Sequence, residues 1–209
     1  MVVKVELNDT YKTIEAPSEG LFKDKGSKFI SYAFPVASED QVKEIVLQIR
    51  KEHFNARHHC YAYRLGYTGE KYRANDDGEP SGTAGRPIHG QLLSNDLTNV
   101  LIVVVRYFGG TLLGVSGLIN AYKTAATEAI KNARIVTKII ELEYELVFDY
   151  MVQNSVMRII KDEQLDVRFS SYELFCKLRI SIRQNKEEEL VLKFGKIDGV
   201  RMEKIQECG

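Results

Sequence analysis

The sequence predicts an α/β (α+β) chain of two domains, residues 1–137 and 138–209. Composition changes near residue 137: all four prolines and all four histidines precede it, and only Gly195, Gly199 and Gly209 follow it. An unbroken apolar run at 100–105 (VLIVVV), β-branched but for Leu101, lies between two helical stretches, the mark of a strand buried on both faces. Beyond residue 138, strand-like and helix-like stretches follow in the order βαββαβ, which is ferredoxin-like.

The elements of the first domain can be justified in turn. At 28–36 (KFISYAFPV) residues alternate and are β-rich, so a strand is expected. Ser38-Glu39-Asp40-Gln41 is a capping box, opening a helix to about Lys51 with Val42, Ile45, Val46 and Ile49 inward. Residues 58–65 read as a strand and 75–78 as a turn. A short helix over 83–93 tolerates Pro87 in its first turn only. The buried strand at 100–105 leads into a glycine loop, and a long helix starts inside that loop and runs to Asn132.

In the second domain a strand is expected at 138–148. A helix follows at 150–162, with Met151, Val152, Val156, Ile159 and Ile160 at helical spacing. Strands at 165–171 and 174–182 are joined by a tight Ser-Tyr-Glu turn. A helix at 186–194 stops at Gly195, and a last strand spans 200–205. The N-terminal residues 1–7 also alternate like a strand.

Composition bounds the function. The chain has 209 residues, 44% of them apolar, enough for a packed core. Acidic and basic residues balance at 29 each, so any nucleic-acid binding must come from a local patch. The three cysteines, Cys60, Cys176 and Cys208, are scattered and odd in number, which points to a reducing compartment. With no signal peptide or membrane span in sight, a cytoplasmic protein is expected.

The candidate site residues gather in two glycine loops. Asp76-Asp77-Gly78-Glu79-Pro80-Ser81-Gly82-Thr83-Ala84-Gly85-Arg86-Pro87 is one, and Arg106-Tyr107-Phe108-Gly109-Gly110 continuing to Gly114 and Gly117 is the other. A helix starting after a strand and glycines offers unpaired N–H groups to an anion, but close helix–sheet packing needs the same glycines. Arg86 and Arg106 suit a planar grip on phosphate or carboxylate, or an internal ion pair with Asp77 or Glu79. Asp76, Asp77 and Glu79 suit acid–base or Mg²⁺ chemistry, or a turn and a helix cap. Ser81 and Thr83 suit a cap or an anion. His58 and Cys60 share one face of their strand and His59 takes the other, too few ligands for zinc. No metal and no cofactor are expected. Arg57, Arg64, Lys71 and Arg73 interleave with Tyr61, Tyr63, Tyr67 and Tyr72, a pattern that serves RNA stacking or an ordinary basic strand face.

The segments Ser27-Lys28-Phe29-Ile30, Ala56-Arg57-His58-His59-Cys60-Tyr61-Ala62, 76–88 and 104–118 resemble the Impact family, in its bacterial YigZ-like branch. The resemblance spans about residues 18–125. It implies a first domain like domain 2 of ribosomal protein S5, and a tail like the last domain of elongation factors. It implies a translation-associated regulator, because eukaryotic relatives regulate translation through a partner of a kinase. Those relatives carry an added N-terminal module, so that kinase-activator partner is not expected here. Some bacterial relatives have been labelled proline dipeptidases, a label that no metal-ligand set in this sequence supports.

The leading expectation is therefore a non-enzymatic protein binding RNA or a phosphate-bearing ligand, with RNA, a ribosome-associated partner or a small anion as the occupant. Arg57, His58, Arg86, Arg106, Gly109, Gly110, Ser81 and Thr83 would form the surface. The alternatives are a hydrolase using Asp77 or Glu79 with His58 or His59, and a protein–protein adaptor.

Overall fold

The computed structural model describes residues 9–205; the alternation at 1–7 and Cys208 lie outside them. The chain divides into two compact units, Tyr11–Lys138 and the remaining described residues.

In the larger unit β1 (Thr10–Ile14), β2 (Ser18–Asp24) and β3 (Ser27–Pro35) lead into α1 (Glu39–Glu52). Then come β4 (His58–Leu65), β5 (Lys71–Asn75), α2 (Gly85–Ser94), β6 (Val100–Tyr107), α3 (Gly114–Asn132) and β7 (Ile135–Ile139). Five strands form one sheet in the order β2-β3-β6-β4-β5, every neighbouring pair antiparallel. β1 and β7 form a separate ribbon.

β6 is central, and its alternation builds two cores. Val100, Ile102 and Val104 pack with Ile88 and Leu92 of α2 and Leu118 and Ala121 of α3. Leu101, Val103 and Val105 pack with Val42, Val46 and Ile49 of α1. Each such aliphatic side chain, fully buried, stabilises by roughly 1.5–3 kcal/mol. The same alternation carries Arg106 onto the α2–α3 side.

Local chemistry fixes the helix ends. Ser38 Oγ accepts from Gln41 N at 3.3 Å, and Gln41 Oε1 accepts from Ala37 N at 2.7 Å, so α1 begins where its capping residues lie. Pro87 sits in the first turn of α2, where its missing N–H removes no helical bond.

The smaller unit contains β8 (Glu141–Phe148), α4 (Gln153–Asp162), β9 (Asp166–Tyr172), β10 (Cys176–Arg183), α5 (Glu187–Gly195) and β11 (Arg201–Lys204). Its sheet runs β11-β8-β10-β9, all antiparallel. Leu146, Phe148, Leu178 and Ile180 meet Val156 and Phe194 of the helices in its core.

Some elements differ from the sequence reading. The strand expected at 138–148 is two strands, broken at buried Ile140. Its N–H donates to Asp9 O at 2.7 Å and its carbonyl accepts from Gln184 N at 3.0 Å, outside both ladders. β9 continues through Tyr172, so the hairpin turn is 173–175. The edge strands β2 and β5 carry Glu19, Lys23, Asp24, Lys71 and Arg73, charges that protect an edge and hide its periodicity. Among the described residues no helix is long and apolar enough to cross a membrane.

Candidate functional site

The loop from β5 to α2 is organised by its own acidic residues. Asp76 Oδ1 accepts from Ala84 N at 3.0 Å and Gly85 N at 2.8 Å, and Oδ2 accepts from Gly82 N at 2.9 Å. The start of α2 is thus capped from a distance, and those N–H groups are taken. Asp77 has φ 43°, in the left-handed region. Its carbonyl accepts from His58 Nδ1 at 2.8 Å. Its carboxylate turns to the other face of the sheet, accepting from His59 N at 2.6 Å and pairing with Arg50 of α1.

That turn delivers Glu79 beneath β4 and β6, where His58 and Arg106 stand opposite each other in register. Arg106 Nη1 donates to Glu79 Oε1 at 2.6 Å, and Tyr122 Oη of α3 donates to the same oxygen at 2.8 Å. Cys60 Sγ lies 3.3 Å from Tyr122 Oη and 3.0 Å from Asp76 O. Burial pushes the Cys60 thiol far above its ordinary range, so it is no thiolate nucleophile. His58 Nδ1 carries a proton, because its partner is a carbonyl. Nε2 then lies 3.8 Å from Glu79 Oε1, an acceptor in the neutral ring and a second donor in the charged one.

Above this floor is a cleft of about 480 Å³. Its walls are Pro80, Phe108, Leu112, Leu113, Val115 and Leu118, with Arg57 also lining it. Gly114, the first residue of α3, lines it too, and no side chain caps that helix. The rings of Phe29 and Phe108 lie 5.5 and 5.6 Å from the Arg106 guanidinium carbon. Arg106 Nε is buried and has no hydrogen-bond partner.

The opposite face of the sheet holds a second polar group. His59 Nε2 donates to His53 O at 3.1 Å, and the His53 ring bonds Tyr32 Oη at 2.8 Å and Tyr107 Oη at 2.9 Å. Burial lowers the His59 pKa below the usual imidazole value, and Arg50 adds to the shift.

Comparison with known proteins places the chain in a family. The domain described as "Impact N-terminal domain" matches residues 25–130. IMPACT family member YigZ of Escherichia coli K12 is 32% identical over 180 residues, 85% of this chain and 88% of YigZ. The chain belongs to the Impact family. IMPACT family member YvyE of Bacillus subtilis is 39% identical over 129 residues, 62% of this chain and 59% of YvyE, so that match spans less than two thirds of the relative. A crystal structure described as that of a hypothetical protein matches with a TM-score of 0.73 and 30% identity, over 96% of this chain and 100% of the other.

In this Impact-family chain, Arg57, His58, Glu79 and Arg106 meet in one cleft. Asp77 and His59 belong to the opposite face. Arg86 and Ser81 are exposed and do not line the cleft. Thr83 is buried and its hydroxyl donates to Pro80 O at 2.6 Å. Gly109 N donates to Ser27 Oγ at 3.1 Å, and a Cβ at Gly109 would lie 1.9 Å from Gly26 C, so this glycine serves packing. Gly110 has φ 87° and open space around it. Tyr122 and the apolar walls were not singled out from sequence. The signal for Tyr122 was a hydroxyl within the Leu118, Ala121, Ala125 stripe of α3. Among the described residues no three His, Cys, Asp or Glu side chains cluster for a metal.

Proposed function

We propose that this chain is a translation-associated regulatory protein that works by binding, its larger unit taking a phosphate-bearing or other compact anionic ligand in the Arg106 cleft. The observation that carries the ligand reading is the unpartnered Nε of Arg106, in the same cleft as the uncapped start of α3. A guanidinium N–H and a helix N-terminus both favour an anion. The translational part rests on the Impact family resemblance. In the same reading the larger unit is of the ribosomal S5 domain 2 type and the smaller one, with its order β11-β8-β10-β9, is ferredoxin-like.

RNA is the second reading, favoured by exposed Arg57 at the cleft and exposed Arg86 at the start of α2. Against it, the cleft is walled by apolar side chains, whereas a single strand needs a line of cations with stacking rings. The hydrolase alternative draws on His58, held by Asp77 O with Nε2 turned toward Glu79. It is weakened by Glu79 being engaged by Arg106 and Tyr122, and by Asp77 facing Arg50.

The test is titration of the full chain with inorganic phosphate and with labelled RNA at low and physiological salt, followed by amide NMR shifts and by anisotropy. Shifts centred on Gly114 and Arg106 support the cleft. Steeply salt-dependent RNA binding favours the second reading. No response to any anion sinks both.

A further inference from the structure

We infer that the ligand of this cleft is an amphiphile, a carboxylate or phosphate-monoester head on an apolar body. This rests on the anion-binding reading above and adds the body. The body follows from the walls: Phe108, Leu112, Leu113, Val115 and Leu118 surround a space of about 480 Å³, within the usual range for small-molecule sites. Phe108, Leu112 and Val115 are also exposed, Leu112 to 82%, an apolar patch beside a pocket of the kind that marks a binding surface.

The head charge follows from the floor. Arg106 and Glu79 cancel, at a separation of 2.6 Å. What remains positive is the start of α3, worth about half a charge, and Arg57 at the cleft. Such a floor suits a head of about one to two negative charges, a carboxylate or a phosphate monoester, with the ligand's chain along the apolar wall of Leu113, Val115 and Leu118.

The experiment is calorimetric titration of the full chain with octanoate, octanamide, octyl phosphate and inorganic phosphate. Arg106 variants risk unfolding, so the variants are Leu112→Glu and Leu112→Lys, at a side chain that contributes little to the fold. Octanoate, octyl phosphate or both should bind, and octanamide about ten-fold or more weaker. Leu112→Glu should weaken octanoate about ten-fold, and Leu112→Lys should not weaken it. Tighter binding of octanoate or octyl phosphate than of both octanamide and inorganic phosphate supports the amphiphile, and the tighter of the two assigns the head. Inorganic phosphate binding that neither octyl anion can displace overturns the amphiphile and leaves the anion reading standing. Octanamide binding as tightly as both octyl anions, or no binding of any probe, overturns both.

Discussion

Arg106 and Glu79 form a buried ion pair, Nη1 to Oε1 at 2.6 Å, with side chains 6% and 4% exposed. A pair this enclosed is asymmetric in its effects: removing one member strands the other charge. Arg106→Met should destabilise the protein by about 3–5 kcal/mol, and adding Glu79→Gln should recover much of that loss. Urea unfolding of the single and double variants tests it. Equal losses in both would mean the charge of Glu79 is not the cause.

Asp76 replaces a helix cap supplied by a neighbouring residue. Its carboxylate takes three backbone N–H groups across the loop. Asp76→Ala should cost about 2 kcal/mol and speed hydrogen exchange at Ala84 and Gly85. Unchanged exchange at those amides would show that the loop is held by other means.

Neighbouring glycines should respond differently. Gly109→Ala would drive a methyl into the Gly26 backbone and should abolish or severely reduce stable folding. Gly110→Ala meets no atom and carries only the left-handed φ of 87°, a penalty of about 1–2 kcal/mol. Thermal melts of the two variants make the comparison, and equal effects would contradict the packing role of Gly109.

Acid should weaken the larger unit through His59. Its folded pKa is depressed by burial, so as pH falls the unfolded chain takes the proton first. The contribution is complete well above the ordinary value of about 6.5 and is lost as pH falls from there toward the lower folded value. His89, also lowered by burial, acts in the same direction. Urea midpoints measured between about pH 7.5 and 5.5 should fall, and His59→Gln should flatten the slope. A slope identical in the variant would remove His59 as the cause.

The Cys60 thiol should resist alkylation in the folded protein and react on unfolding, because burial holds it protonated. Mass-spectrometric mapping of iodoacetamide adducts with and without denaturant reads this directly. Rapid native labelling at Cys60 would reopen the question of a nucleophile.

Much of the fold could be read locally. The 100–105 run announced a central strand because β6 is buried on both faces. The Ser38 box and the Pro87 position gave helix starts because those signals act over a few residues. His58 and His59 were separated correctly by strand alternation alone. The edge strands were not legible, since exposed β5 has no buried face to set a period. The floor of the cleft was half legible. Arg106 and Glu79 stood out as charges among glycines, but the bond from Tyr122 to Glu79 joins residues 43 apart, and no local pattern specifies it. Gly109 and Gly110 looked equivalent because sequence shows a missing Cβ without showing what would stand in its place.

Asp9 groups with the smaller unit, where its carboxylate meets Arg183 Nη2 at 2.8 Å and its carbonyl accepts from Ile140 N. Residues of the smaller unit therefore flank the larger unit on both sides in sequence. On a translating ribosome, the larger unit has all its strands once Ile139 has emerged. The segment around Asp9 must wait for Arg183, synthesised 174 positions later. The smaller unit is thus the late-folding one, and its completion joins two stretches made far apart in time.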